Sequence, residues 1–314
     1  MANLISKASL VSLLSTLALT LCVGLGCSPS SGNPAFDKDR AFDLLKKQVD
    51  FGPRYPGVAA HATTADFIAS QLKPYADDVT TQQFRQTVDG KSFELRNIIA
   101  RFNPSAKQAV LLAAHWDTRP VADMEVDPAK RAKPILGAND GASGVAVLLE
   151  LARVFAKQKP DVGVIMVFFD GEDYTTNPPS SQDMFLGSKY YAEHLDSRTK
   201  RTIKYGILVD MVGDKNLGIN QESQSVQAAP EVVKRVWGTA KSLGYGRQFI
   251  PSVKYSISDD HVPLIRAGVK CIDVIDFEYG PWHTLDDTVD KCSPNSLKIV
   301  GDVLSRVVYE ENAQ

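Results

Sequence analysis

Cysteine is scarce in this chain: there are four among 314 residues, and Cys22 and Cys27 both lie near the start. So few thiols exclude a disulfide-built scaffold. Beyond the start only Cys271 and Cys292 remain. Cys271 sits in the apolar segment Val269-Lys270-Cys271-Ile272, where a free thiol behaves as a small hydrophobe. A bridge to Cys292 stays open, because spacing does not set the geometry a bridge needs. An excess of either charge is also missing. The formal net charge is -2 and the sequence pI about 6.2, so no bulk basic field draws the chain to a nucleic-acid backbone. Internal repeats and a second domain boundary are absent as well. What is present is 44% hydrophobic and 23% charged residues, enough chain for a sizeable core and an α/β domain.

Lys7 is the only charge before Asp37, and residues 8–26 are rich in Leu, Val, Ala, Ser and Thr. A short basic start, an apolar run and small residues read as an export signal, too abruptly ended for a good membrane span. The run closes on Gly24-Leu25-Gly26-Cys27, followed by Ser28-Pro29-Ser30-Ser31-Gly32-Asn33-Pro34. This resembles a bacterial lipobox, with Leu two rather than three places before the cysteine. It implies a signal over 1–26, a lipid on Cys27, a flexible tether over 27–36, and a cell-envelope location on the periplasmic or outer face of a bacterial membrane. Plain signal cleavage and an N-terminal anchor helix are the alternatives. Residues 37–314 then form one catalytic domain, expected to be water-soluble and monomeric.

Within that domain the apolar spacing predicts a helix over 37–51, with Phe42, Leu44, Leu45 and Val49 on one face, and another over 61–75 that turns Phe67, Ile68 and Leu72 inward. Gly52-Pro53-Arg54-Tyr55-Pro56-Gly57 breaks the chain between them. Alternation and apolar runs predict strands over 79–88, 93–102, 109–114, 162–169, 203–212 and 269–275. Helices are expected over 140–155, 231–243 and 294–311. The uninterrupted run 162–169 marks a central strand buried on both faces. Strand and helix in alternation predict a three-layer α/β/α sandwich around a mixed, mostly parallel sheet.

The residues able to do chemistry fall at strand ends and in the loops that follow, where open α/β sheets place their sites. They are His115 and Asp117, Asp140, Glu172 and Asp173, Asp210, Asp259, Asp260 and His261, and His283. Singly, each has a plain reading. Asp140 would cap the helix it opens, Asp117 would shape a turn, Glu172-Asp173 would be a solvated loop, and His61 and His194 read as hydrogen-bonded structural residues. Gathered together, so many carboxylates would repel one another unless a divalent cation sits between them. Mixed nitrogen and oxygen donors without thiolate suit zinc.

The order of the motifs adds to this. Phe51-Gly52-Pro53-Arg54, Asn97-Ile98-Ile99-Ala100, Ala114-His115-Trp116-Asp117, Gly137-Ala138-Asn139-Asp140-Gly141-Ala142, Phe168-Phe169-Asp170-Gly171-Glu172-Asp173, Asp259-Asp260-His261 and Trp282-His283-Thr284 follow one another. The set resembles the glutaminyl-peptide cyclotransferases and their relatives, the bacterial zinc aminopeptidases, from about Phe51 to the closing helix. The resemblance implies zinc ligands at Asp140, Asp173 and His283, a general acid/base at Glu172, a carboxylate at Asp259 that hydrogen-bonds the reacting amide, and an aromatic pocket wall at Trp282. In the aminopeptidase version Asp140 bridges two zincs; His115 and Asp210 complete one ion, Asp173 and His283 the other, and Asp117 orients His115.

Trp282-His283-Thr284, and Ser181-Gln182-Asp183 followed by Gly187-Ser188, resemble the cyclases. Three departures oppose them: no clear tryptophan near Asn177-Pro178, Ala114 and Val145 where a cystine would flank the first strand end, and Asp173 in place of the commoner Glu. The expected activity is cyclisation of N-terminal glutamine on peptides or proteins, with one zinc. The alternatives are a two-zinc aminopeptidase and a non-catalytic binding module on the same scaffold, the last opposed by the intact Glu172.

Overall fold

The computed structural model describes residues 34–175 and 184–312. The signal, Cys27, the tether up to Asn33, and the Asn177-Pro178 and Ser181-Gln182-Asp183 stretches lie outside the described residues.

Two helices lead in, α1 (Lys38–Asp50) and α2 (Ala59–Leu72). Asp37 starts α1 by accepting from the backbone N–H groups of Asp39 and Arg40 at 3.1 and 3.0 Å. The buried stripe of α1 is Ala41, Leu44, Leu45 and Gln48, while Phe42 and Val49 are only half-buried. Gln48 is tolerated inside because its amide donates to Leu44 O and Ala142 O. There follow β1 (Asp78–Val88), β2 (Lys91–Phe102), β3 (Ala109–His115), α3 (Ala142–Lys157), β4 (Gly163–Phe169), α4 (Leu186–Glu193), α5 (Ser197–Thr202) and β5 (Ile203–Asp210). Then come β6 (Ile219–Glu222), α6 (Ser223–Ala228), α7 (Pro230–Ser242), β7 (Phe249–Tyr255), α8 (His261–Arg266), β8 (Cys271–Ile275) and α9 (Pro294–Tyr309).

Six strands form the main sheet in the order β1-β2-β4-β3-β5-β8. The β4-β3, β3-β5 and β5-β8 pairs are parallel, and β1-β2 and β2-β4 antiparallel. Every residue of β3 and β4 is buried, as the apolar runs require of strands covered on both faces. Alternate residues serve opposite layers. Val110, Leu112, Ala114, Val164, Met166 and Phe168 pack under α1, α3 and α9. Leu111, Ala113, Ile165, Val167 and Phe169 face Tyr191 of α4 and Leu264 of α8. This is the three-layer sandwich the alternation predicts. A separate parallel pair, β6-β7, lies outside it and was not expected. Cys271 and Cys292 are both buried and free, so no bridge joins them.

The parallel strands set the site by ending together. His115 is the last residue of β3 and Asp210 the last of β5, and Glu172 and Asp173 follow the end of β4. The carboxyl ends of these strands share one edge of the sheet.

Candidate metal centre

Three loops meet at that edge, and buried polar groups tie them to one another. Asp117, fully buried just after β3, accepts from the backbone N–H of Glu172 at 3.0 Å and of Asp173 at 3.2 Å. It lies 3.7 Å from His115 Nδ1, so its hydrogen bonds orient the Glu172-Asp173 turn rather than the imidazole. Arg54, fully buried, donates to Trp116 O, Leu136 O and Gly137 O at 3.2, 2.7 and 2.8 Å. Gly137 adopts φ +61°, and a Cβ there would stand 2.2 Å from Asp140 O. Only glycine fits. Asp287 accepts from the backbone N–H groups of Asn139 and Asp140 at 2.8 and 3.2 Å, and from the Tyr279 hydroxyl at 2.8 Å. Asp140 does not cap α3: Gly141 holds the cap position, and the Asp140 side chain turns into the cleft.

The result is two adjoining donor groups. Asp140, Asp173 and His283 form one, and His115, Asp140 and Asp210 the other; all five side chains are buried. His283 Nε2 lies 3.6 Å from Asp140 Oδ2 and 3.5 Å from Asp173 Oδ1. A tetrahedral zinc with bonds of about 2.0–2.2 Å needs its ligand atoms roughly 3.3–3.6 Å apart. These separations fit an ion and are too long for good hydrogen bonds. Among the described residues the buried Asp173 Oδ2 has no hydrogen-bond partner, which a cation would correct. In the second group His115 Nε2 stands 3.1 Å from both Asp140 Oδ1 and Asp210 Oδ1.

Electrostatics marks the same residues. Burial pushes the Glu172 carboxyl well above the usual range, and Asp173, Asp259 and Asp260 add to this while His115 opposes it. Burial raises Asp173 to about 6 against the pull of Arg119 and His283. Asp140 goes the other way: burial would raise it, but His115, His283 and Arg119 hold it below the ordinary value. For His115, burial is outweighed by the carboxylates of Asp210, Glu172, Asp117 and Asp140, which keep the imidazole well above its normal range. Trp282, half-buried, lies against the His283 ring with centroids 4.0 Å apart and packs on Phe277.

Asp259 is buried beside this centre and belongs to a further set of donors with His261 and Asp273. Among the described residues its Oδ2, both carboxylate oxygens of Asp273 and both His261 nitrogens have no hydrogen-bond partner. Burial, then Asp210 and Asp260, hold Asp259 well above the carboxylate range. His61 is the structural residue expected, bonded to Asp170 at 2.8 Å, and His194 bonds Tyr190 O at 2.8 Å.

Several residues of the centre carry no obvious mark in the sequence. Arg54 stands out only as part of a motif, and Arg119, Asp123, Asp273 and Asp287 not at all. Arg119, two places after Asp117, and Asp287, just after Trp282-His283-Thr284, lie close enough to marked positions to be found by asking what neutralises or anchors them.

The sequence matches the family model of peptidase family M28 over residues 97–308. The crystal structure of Bacteroides thetaiotaomicron glutaminyl cyclase bound to N-acetylhistamine is 39% identical with a TM-score of 0.85, covering 90% of this chain and 100% of that one. The glutaminyl-peptide cyclotransferase of Drosophila melanogaster is 26% identical over 277 residues, 79% of this chain and 75% of its own. Aminopeptidase YwaD of Bacillus subtilis is 28% identical over 258 residues, 76% of this chain but 50% of its own.

Proposed function

The chain belongs to peptidase family M28, and on that premise we propose that it catalyses glutaminyl-peptide cyclisation, closing the N-terminal glutamine of peptides or proteins into pyroglutamate with release of ammonia. Asp140, Asp173 and His283 would hold a single zinc, which supplies Lewis acidity toward the side-chain carbonyl of the glutamine. Glu172 takes a proton from the α-amine as its nitrogen bonds Cδ, and returns one to the departing amide nitrogen. The Cδ–N bond breaks, ammonia leaves, and no water is consumed. Asp259, whose carboxyl is pushed upward by burial and by Asp210 and Asp260, hydrogen-bonds the reacting amide in this reading. Trp282, with its indole against the His283 ring, supports the cyclase reading as the aromatic pocket wall that the resemblance implies.

The second group, His115 with Asp140 and Asp210, favours one other reading, a two-zinc aminopeptidase in which Asp140 bridges. Metal analysis together with an assay on dipeptides that begin with Gln separates the two. One zinc per chain, ammonia and pyroglutamate support cyclisation. Two zincs and free N-terminal amino acids without pyroglutamate overturn it.

Export is part of the same proposal. Lys7, the apolar run 8–26 and Cys27 support a cleaved signal and a lipid anchor in a bacterial cell envelope, with a tether to residue 36 and one catalytic domain beyond. That domain would act as a monomer on peptide N-termini outside the cytoplasm.

A further inference from the structure

Two side chains beside the metal centre have no part in the chemistry above. Arg119 is only 3% exposed, on the loop after β3. Its guanidinium grips Asp123 with Nε on Oδ1 at 2.6 Å and Nη2 on Oδ2 at 3.2 Å, while Nη1 donates to Asp173 Oδ1. Asp123 Oδ1 in turn faces His283 Nδ1 at 3.4 Å. Since His283 Nε2 stands 3.5 Å from Asp173 Oδ1, the four side chains close a ring: Asp173, Arg119, Asp123, His283. The backbone repeats the link. Met124 N–H donates to His283 O at 3.2 Å, and Leu285 N–H to Glu125 Oε1 at 3.0 Å. His283 itself sits at φ +56°, a conformation a non-glycine residue keeps only when its surroundings hold it there.

We propose that Arg119 and Asp123 are positioning residues that lock Asp173 and His283 together as a pair of metal ligands, and so set how tightly the ion is held; this rests on the zinc reading of that group. The physics is specific to these residue types. A carboxylate facing Nδ1 favours the proton on that nitrogen, which leaves the Nε2 lone pair for the metal. A guanidinium presents donors in a fixed planar fork and can hold two carboxylates at once, which an ammonium on a flexible stem does not. Arg119 donates to Asp173 Oδ1, the oxygen that faces His283 Nε2, while Oδ2 is buried with no hydrogen-bond partner among the described residues. Both side chains contact the ligands themselves, Arg119 on Asp173 and Asp123 on His283, and act through them.

The test uses the full chain, stripped of metal and titrated with zinc against a chromophoric chelator, as wild type, Asp123→Asn, Arg119→Lys and the double variant. Each single change should weaken zinc binding by about 10- to 100-fold, the usual effect of losing a ligand's supporting partner. The double variant should lose little more than the weaker single, because a ring opened once is already open. Cobalt-loaded Asp123→Asn should also show shifted d–d bands at full occupancy, a signature that a merely structural role would leave in place. If Arg119→Lys melts early without metal, Asp123→Asn decides alone, since that residue is partly exposed and the amide has the same shape. Zinc affinity within two-fold of wild type and an unchanged cobalt spectrum would overturn the proposal. Failure of the zinc reading looks different: the wild type itself would bind no zinc that Asp140→Asn removes.

Discussion

Glu172 joins burial, a raised pKa and a place beside the donor groups, so its removal is the direct test of chemistry at the scale of one residue. Glu172→Gln keeps the shape and loses the proton carrier. It should retain zinc and fold while ammonia release from Gln-peptides falls on the order of 10²- to 10⁴-fold. His115→Ala asks the complementary question. With a single zinc at Asp140, Asp173 and His283, the variant should keep one zinc per chain and still release ammonia; loss of a second metal with loss of peptide-bond hydrolysis would mark the aminopeptidase instead. Residues of this kind are legible in the sequence because their type and their place at strand ends both speak for them. Asp140, Asp173 and His283 are brought together as the family resemblance implies. Arg54, Arg119, Asp123 and Asp287 are not legible, because their roles depend on which loops meet. Asp287 becomes an anchor for Asp140 only once the chain has folded across 147 positions.

Between residues and elements, the close contact of α3 with the sheet is the feature most sensitive to change. A Cβ on Gly144 would stand 2.2 Å from Val209 O and 3.1 Å from Ala114 Cβ. In an open helix Gly→Ala gains up to about 1 kcal/mol. Here the overlap with backbone should win, and Gly144→Ala should lose about 1–3 kcal/mol in urea unfolding. Gly238, in α7 with nothing within 4 Å of its Cβ position, should show the opposite sign, a gain of about 0.5–1 kcal/mol on Gly238→Ala. The turn from β6 into α6 has its own lock. Glu222, 1% exposed, accepts from Gln224 N–H, Ser225 N–H, Ser225 Oγ and Ile257 N–H. Burial works to raise its pKa, but His261 and these donors prevail and pull it from 4.5 to about 2. The folded chain therefore holds fewer protons there than the unfolded one, and the stabilisation is complete above pH ~4.5 and fades as pH falls toward 2. Glu222→Gln should cost roughly 2–3 kcal/mol at pH 7 and progressively less below pH 4 in denaturant titrations. The long elements were legible: apolar periodicity marks α3, α7 and α9, and unbroken apolar runs mark β3 and β4. The pair β6-β7 was not, since β7 is mostly exposed, contains Pro251 and lacks an apolar face. Short α8 is hidden for a related reason, because His261 opens it where the motif draws attention to chemistry rather than to a turn.

For the molecule as a whole, the order of strand and helix makes the layered sandwich legible, and the reading of where the chain resides rests on residues 7–27. Among the described residues no helix is long and apolar enough to cross a membrane. The segment with the chemistry for a membrane anchor runs from Lys7 to Cys27. Acyl chains on Cys27 would contribute about 0.8 kcal/mol for each buried methylene, and two or more chains suffice for stable anchoring where one does not. The wild-type chain expressed in a bacterium should therefore sediment with membranes, take up an alkyne-tagged fatty acid, and have a mature mass that starts at Cys27 with its acyl groups added. Cys27→Ser should take up no label. An uncleaved signal would hold that variant at the membrane without a lipid, so a chain starting at residue 34 provides the second arm. It keeps Asp37 and the cap of α1, and should be fully soluble with the same rate on Gln-peptides. Equal labelling of wild type and Cys27→Ser, or membrane retention of the shortened chain, would rule out the lipid anchor while leaving the catalytic proposal standing.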